Sequence, residues 1–276
     1  MTIEKNKNAK QSGTFEALNS NAEIFVEIIK QKWWKLFCND TDLYIDIRKD
    51  NKINVYYYGN SLASIKYTKN KFEAKIHEKF LGNENKKYAE LDLASLNEKK
   101  IKDFKENIKK YHKPENKIKG IMILNNKNYI DSDFKYNRGK ELLEFDLIDF
   151  SNGELSFVEL KRISDSRLIN DPKRNKRKPE IIEQMEKYEK FINEPKNESK
   201  IINYYKKLIQ LKNDLGVFKS KPNFTFTLNK KPKLIIIDTY EKPLTKRREK
   251  RINDIETLLK KHNINYKIRH IDTLRA

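Results

Sequence analysis

The stretch that decides the fold runs from residue 141 to residue 162 and reads ELLEFDLIDFSNGELSFVELKR. Two apolar-rich segments flank Asn152 and Gly153, a pair that accepts the positive φ angles of a two-residue type I′ turn. The stretch therefore predicts a β-hairpin whose register is fixed by the turn. Counted outward from that turn, the register predicts three pairs on one face: Ile148 with Phe157, Asp146 with Glu159, and Glu144 with Lys161.

The charged residues of this hairpin gather at the end away from the turn. Opposed carboxylates such as Asp146 and Glu159 repel each other, because β-carbons at such positions lie about 5 Å apart. A divalent cation relieves that repulsion, and Mg²⁺ typically takes one or two carboxylates together with water and phosphate oxygens. Lys161 lies on the same face, where it can orient or deprotonate an attacking water or neutralise charge on a phosphate. The hairpin therefore predicts a Mg²⁺ site, which Mn²⁺ can also fill, with Asp146 and Glu159 as metal ligands and Asp146, Glu159 and Lys161 as catalytic residues.

A structural alternative is that the two carboxylates are solvated and that Lys161 pairs with Glu144. Four apolar residues alternate with the charged positions, and they predict that the other face of the hairpin is buried: Phe145, Leu147, Val158 and Leu160. Burial of that face favours the metal site over the solvated alternative.

Asp146, the hairpin and Glu159-Leu160-Lys161 together resemble the PD-(D/E)xK nuclease superfamily, in which an Asp and an (Asp/Glu)-x-Lys segment bind metal and catalyse phosphodiester hydrolysis. The segment EIIEQMEKYEKFI at 180–192 places Gln184 and Tyr188 in positions similar to the QxxxY motif of the RecB-like and Cas4-like branch. The resemblance covers roughly residues 115–240. It implies a restriction-endonuclease-like α/β fold and a catalytic, supporting role for Gln184.

The chain departs from that superfamily pattern in two respects. Phe145 stands where a proline is common, and the single cysteine, Cys38, excludes the cysteine-ligated iron–sulfur cluster of Cas4-like members. Three acids remain alternatives for a further carboxylate of the site: Glu115, Glu141 and Glu144.

A basic loop leads from the hairpin toward the QxxxY segment. Because the loop begins beside the predicted metal site, we interpret it as a phosphate clamp rather than a solvated charge run. The predicted nucleic-acid-binding residues are Arg162, Arg167, Lys173, Arg174, Lys176, Arg177 and Lys178, together with Tyr188. A second basic group opens the last predicted helix: Lys246, Arg247, Arg248, Lys250 and Arg251. Cations at a helix N-terminus oppose the helix dipole, so a partner phosphate is a weaker hypothesis there.

The pattern of the whole sequence predicts two structural regions. Residues 1–112 predict an α+β module with an antiparallel sheet: helices over 22–38 and 97–111, and strands over 43–48, 53–58, 61–67 and 72–76. In residues 113–276 strands alternate with helices, which predicts a mixed central sheet flanked by helices and an α/β fold, α+β overall. Its remaining strands are expected over 129–134, 233–238 and 266–271, and its helices over 115–123, 179–193, 199–215 and 245–262.

Two runs of aromatic residues allow their burial to be predicted. At least one ring of the Trp33–Trp34 pair is expected in the core. Tyr56, Tyr57 and Tyr58 cannot all point inward from a regular strand, so one or two of them are expected to be exposed.

Composition favours a polyanionic partner, because 60 basic and 40 acidic residues give a net charge of +20 over 276 residues. An AT-rich genome would raise the lysine content without such a partner.

One cysteine excludes an intrachain disulfide and a four-cysteine zinc site. The absence of a signal-peptide pattern and of long apolar runs predicts a cytoplasmic protein without a membrane partner. No Walker, Rossmann or GxSxG pattern is present, so ATP dependence is not encoded.

These patterns together predict a metal-dependent nuclease, with DNA favoured over RNA as its partner. Restriction, repair and defence are settings that the sequence does not separate, nor does it separate endonucleolytic from exonucleolytic cutting. A homodimer is an open alternative, since nucleases of this type often pair to cut both strands. The rival class is a non-catalytic nucleic-acid-binding or scaffolding protein that keeps the fold, and a third is an effector that stays silent until a ligand or second subunit arrives.

Overall fold

The computed structural model describes residues 15–83, 87–138, 141–169, 178–218 and 225–274. The chain forms two compact units, each discontinuous in sequence. Unit 1 comprises residues 1–127, 135–142 and 200–224, and unit 2 comprises residues 128–134, 143–199 and 225–276. The expected division of the chain at residue 112 stays a prediction.

Unit 1 is built on a five-stranded sheet in which consecutive strands pair antiparallel. The strands are β1 (Tyr44–Ile47), β2 (Ile53–Tyr57), β3 (Asn60–Thr68), β4 (Lys71–His77) and β5 (Tyr88–Glu90). The four expected strands are confirmed, and β5 is an addition to them. The pairing of β2 with β3 shifts register between Val55 and Tyr56. Tyr56 and Tyr57 are both buried and Tyr58 is half-buried, so the expectation of an exposed tyrosine is wrong because the shift interrupts the alternation of faces.

The helices of the N-terminal region are α1 (Glu23–Ile28), α2 (Lys32–Asn39), α3 (Glu98–Tyr111) and α4 (Pro114–Asn125). The single helix expected over 22–38 is wrong, because Gln31 adopts an extended backbone with φ −85° and ψ 131°. Its carbonyl then accepts a hydrogen bond from the Trp34 nitrogen at 3.2 Å and starts α2. Trp33 and Trp34 are only 7% and 3% exposed, so both rings belong to the core.

Two glycines allow α4 to approach the turn between β2 and β3 at backbone distance. Gly59 has φ +69°, a conformation that favours glycine. A β-carbon on Gly120 would lie 2.7 Å from the Gly59 nitrogen. A larger side chain at either position would therefore force α4 away from the sheet.

The second sheet has six strands: β6 (Tyr129–Arg138), β7 (Glu141–Ser151), β8 (Glu154–Arg162), β9 (Thr227–Leu228), β10 (Lys233–Asp238) and β11 (Asn265–His270). Its order is β11-β10-β8-β7-β6, with the short β9 also paired to β8. β7 and β8 are antiparallel, whereas β8, β10 and β11 run parallel to one another. The remaining helices are α5 (Glu180–Ile192), α6 (Pro195–Asp214) and α7 (Lys246–Lys261). The expected α/β fold with a mixed sheet flanked by helices is confirmed.

An aromatic cluster packs α5 against β7 and β8. The ring of Phe145 lies 4.5 Å from that of Phe157 and 4.1 Å from that of Tyr188, measured between centroids. Phe191 contacts the same two phenylalanines. Because these rings are buried, the position of α5 over the hairpin is fixed by apolar packing. None of the helices in the described ranges has the length and apolar character needed to cross a membrane.

Candidate active site

The hairpin that carries the predicted site forms as its turn predicts. Asn152 and Gly153 have φ angles of 53° and 83°, the positive values that a type I′ turn requires. From this turn the strands pair in the expected register: Ser151 with Glu154, Phe150 with Leu155, Ile148 with Phe157, and Leu147 with Val158.

The regular alternation of β7 is interrupted beyond Leu147. Phe157 and Glu159 share one face of β8, and the ring of Phe145 packs on Phe157 on that face. Regular alternation would place Phe145 on the opposite face, so its expected position there is wrong. On this face Phe145 packs against Phe157, Tyr188 and Phe191, and such aromatic contacts contribute about 0.5–1.5 kcal/mol each beyond burial, which offsets the loss of regular pairing.

As a consequence Asp146 contacts β8 in a different way from the expected direct pair with Glu159. Its Oδ2 accepts a hydrogen bond from the backbone nitrogen of Leu160 at 2.9 Å. The Asp146 carboxylate is half-buried and is close enough for its charge to affect Glu159. The structure thus brings Asp146 and Glu159 together, with Leu160 N–H as the connection.

Glu159 and Lys161 form a buried charge pair on β8. Their side chains are both 3% exposed, and Lys161 Nζ donates to Glu159 Oε1. Lys161 Nζ also lies 3.2 Å from the Leu160 carbonyl oxygen. Burial, followed by the negative charge of Asp146, raises the pKa of Glu159 to about 7, although Lys161 and Tyr188 act in the opposite direction. Glu159 therefore titrates near neutral pH.

The two motif residues of α5 form a hydrogen-bonded chain that ends at the Glu159 carboxylate. Gln184 Nε2 donates to the Tyr188 hydroxyl at 2.6 Å. That hydroxyl is hydrogen-bonded to the backbone carbonyl of Glu144 and lies 3.0 Å from Glu159 Oε2. Burial, with the charge of Glu159 next in importance, raises the pKa of Tyr188. Tyr188 therefore keeps its proton as a donor to Glu159, and Gln184 acts on Glu159 through Tyr188.

The ligand atoms available at this site are carboxylate oxygens, which Mg²⁺ prefers. Across the described ranges, no group of three or more His, Cys, Asp or Glu side chains is arranged to hold a metal. The chain itself would supply the carboxylates of Asp146 and Glu159. Mg²⁺ commonly binds proteins through one or two carboxylates and completes its shell with water and substrate phosphates. Burial and, after it, the charge of Asp146 raise the pKa of Glu159, and a bound cation would relieve both effects.

The predicted phosphate clamp is described only in part. Arg162 is half-buried, and its Nε atom has no hydrogen-bond partner among the described residues. The guanidinium of Arg167 binds Asp165 through Nε at 3.0 Å and Nη2 at 2.6 Å, and Lys178 pairs with Glu186 at 2.7 Å. The other four residues, Lys173, Arg174, Lys176 and Arg177, lie outside the described residues.

The three acids left open by the sequence differ in what they contribute. Glu144 has an exposed side chain and joins the site through its backbone carbonyl, which accepts from Tyr188. The side chain of Glu141 lies outside the described residues, and Glu115 is in the first turn of α4, in unit 1.

Sequence reasoning missed Asp165 as a neighbour of the site. Although burial acts to raise the pKa of Asp165, hydrogen bonds from Arg167 lower it on balance, and the charge of Lys161 acts in the same direction. The available signal was its position, three residues beyond the end of β8.

Comparison of the chain with known protein families, with curated proteins and with solved structures finds no match.

Proposed function

We propose that the protein is a metal-dependent nuclease that hydrolyses phosphodiester bonds in nucleic acid, with DNA as the favoured substrate. The observation that carries the proposal is the buried pair of Glu159 and Lys161 beside the Asp146 carboxylate. A metal-binding acid pair with an adjacent ammonium is suited to charge that develops on a phosphate.

Fold stability is a weak explanation for this cluster. The desolvation of two buried charges commonly offsets their mutual attraction, so a buried ion pair adds little net stability. Here the charge of Asp146 further raises the pKa of Glu159, which makes its ionised form less stable still. Acidic side chains that have a strongly shifted pKa and are held in place by hydrogen bonds are typical of functional sites.

Each residue has a separate role in the proposed reaction. Asp146 and Glu159 would hold Mg²⁺, or Mn²⁺ in its place, and the bound ion would supply neutralisation of charge on the scissile phosphate. Lys161 holds an ammonium at Glu159 Oε1, from which it can orient the attacking water or stabilise negative charge on the phosphate. Tyr188 holds Glu159 Oε2, and Gln184 is a positioning residue that acts through Tyr188.

The resemblance to the PD-(D/E)xK superfamily supports the same proposal. Asp146, Glu159-Leu160-Lys161, Gln184 and Tyr188 occur in the order expected for the RecB-like branch, and a mixed α/β sheet carries them. The cytoplasmic location, the homodimer and the preference for DNA over RNA stay predictions.

The test is cleavage of labelled single-stranded and duplex DNA and RNA in Mg²⁺, Mn²⁺ or EDTA. We compare the wild type with Glu159→Gln and Lys161→Met, and with Glu154→Gln as a matched control. Glu154 lies on the same strand at its turn end, where its carboxylate accepts from Asn229 at 2.8 Å. We expect metal-dependent cutting by the wild type and the control, and a loss of at least about 100-fold in the two site variants.

Two outcomes would contradict the proposal. Cutting that survives in both site variants would show that the catalytic residues lie elsewhere. Nucleic-acid binding by the wild type without any metal-dependent cutting would favour the rival class, a non-catalytic binding or scaffolding protein.

A further inference from the structure

A cavity of about 560 Å³ lies next to the end of β8 in unit 2. Its walls come from the segment after β8, the segment after β10 and the first turns of α7. Among the described residues that line it there is one acid, Asp254, whereas the basic residues are Arg247, Arg248, Lys250 and Arg251. The cavity, called the α7 cleft from here on, is therefore strongly positive.

The four cations of the α7 cleft lie close together in the first turns of one helix. Within the described ranges, no carboxylate lies within ion-pair distance of any of the four. Arg247 and Arg251 are four residues apart on one helix, a spacing at which like charges destabilise it. Positive charges in the first turns also oppose the helix dipole. Glu249 in the first turn and Asp254, four residues after Lys250, offset part of this repulsion, and an anion bound in the cleft would offset more of it.

Two of the cations are held in fixed positions. The Arg248 guanidinium lies over the ring of Tyr240, 4.9 Å from its centroid. Arg251 donates from Nε to the carbonyl of Ile163 and from Nη2 to that of Asp165, both at 2.9 Å. These contacts fix part of the cavity wall before a ligand binds, whereas Arg247 and Lys250 would be ordered by the ligand itself.

Arg251 also connects the cleft to the proposed catalytic strand. Ile163 and Asp165 follow Lys161 by two and four residues, and Ile163 N donates to the Ile237 carbonyl of β10 at 2.9 Å. β8 and β10 are parallel, with Lys161 paired to Ile236. Their carboxyl ends therefore meet at one edge of the sheet, the edge at which α/β proteins commonly bind ligands.

We propose that the α7 cleft binds backbone phosphates of the nucleic-acid strand that is cut at Asp146, Glu159 and Lys161. The proposal rests on the proposed nuclease function for the identity of the strand. Arg247 and Lys250 are exposed and would contact the phosphates, whereas Arg251 positions the loop after β8. Contacts to phosphates carry no sequence information, so the cleft orients the strand and does not select its sequence.

The test is fluorescence anisotropy with labelled single-stranded DNA and RNA in EDTA, repeated over a range of salt concentrations. The double variant Arg247→Gln/Lys250→Gln is compared with Lys260→Gln/Lys261→Gln. The control removes the same charge from exposed positions at the other end of the same helix. Loss of two phosphate contacts is expected to reduce the slope of log affinity against log salt by about 1.4, or 0.7 per contact. The control variant is expected to change that slope by less than half as much.

Equal slopes for the two double variants would overturn the proposal, as would a wild type that binds neither nucleic acid. EDTA prevents cutting, so the result is independent of the cleavage assay. A reduced slope in a protein that never cuts would support the cleft and contradict the nuclease. Metal-dependent cutting with equal slopes would contradict the cleft alone.

Discussion

Opposing effects of burial, charge and hydrogen bonding act on the pKa of Glu159. Its carboxylate is buried and lies near the charge of Asp146, and both effects favour the protonated form. Lys161 and Tyr188 bind the two oxygens separately, Oε1 and Oε2, and favour the ionised form. The balance is a pKa of about 7, so the charge of the site changes near neutral pH in the absence of a metal ion.

The raised pKa predicts a measurable effect on stability. Unfolded Glu159 would release its proton near pH 4.5, whereas the folded protein keeps it until about pH 7. Between these values the folded state binds more protons, so the contribution of Glu159 to the free energy of unfolding falls as pH rises. Glu159→Gln removes this contribution. In EDTA, the variant should therefore gain stability relative to the wild type as pH increases from 4.5 to 7.

Urea unfolding at several pH values between 4.5 and 8 measures this difference. The Glu154→Gln control should follow the wild type throughout. A difference between Glu159→Gln and the wild type that stays constant with pH would show that Glu159 titrates at the same pH in both states.

At the scale of elements, α5 and the hairpin are joined by the hydroxyl of Tyr188. This group contacts the Glu144 carbonyl on β7 and Glu159 on β8, while the ring packs on Phe145. The helix thereby holds the two strands at the point where their regular pairing is interrupted. The apolar face of α5 packs on the hairpin, and the hydroxyl oxygen of Tyr188 connects the helix to Glu159.

Replacing Tyr188 by Phe tests this connection. The ring packing is retained, but the single hydroxyl proton that the Glu144 carbonyl and Glu159 share is lost, which should lower the free energy of unfolding by about 1–3 kcal/mol. Because Tyr188 lowers the pKa of Glu159, that pKa should also rise further. Tyr266→Phe, at a half-buried tyrosine on β11 of the same sheet, is the control for loss of a hydroxyl. Equal stability of the two variants in urea unfolding would contradict the proposed connection.

Local patterns in the sequence predicted the elements better than their irregularities. Asn152-Gly153 predicted the hairpin and its first pairs, because a two-residue turn leaves one register. The break at Gln31, the register shift after Val55 and the turn of Phe145 toward α5 depend on what each side chain packs against. The contacts of Phe145 with Tyr188 and Phe191 join segments distant in sequence, so no local pattern contains them.

For the whole molecule, composition indicated a polyanionic partner but could not say where it binds. The position of the α7 cleft depends on the parallel pairing of β8 with β10, which brings two distant segments to one edge. Long-range contacts also define unit 1. Trp34 Nε1 donates to the Leu215 carbonyl at 3.1 Å, and Lys212 pairs with the buried Asp46 at 2.9 Å. A boundary placed at the predicted end of a helix has no access to contacts of this kind.

We propose that Asp146 and Glu159 form a metal centre, and titration with Mn²⁺ monitored by electron paramagnetic resonance measures metal binding there without a substrate. The wild type and the Glu154→Gln control should bind Mn²⁺ at near-neutral pH. Asp146→Asn and Glu159→Gln should each weaken that binding by at least about tenfold, because each removes a ligand. A wild type that binds no Mn²⁺, or equal affinity in all four proteins, would contradict the claim.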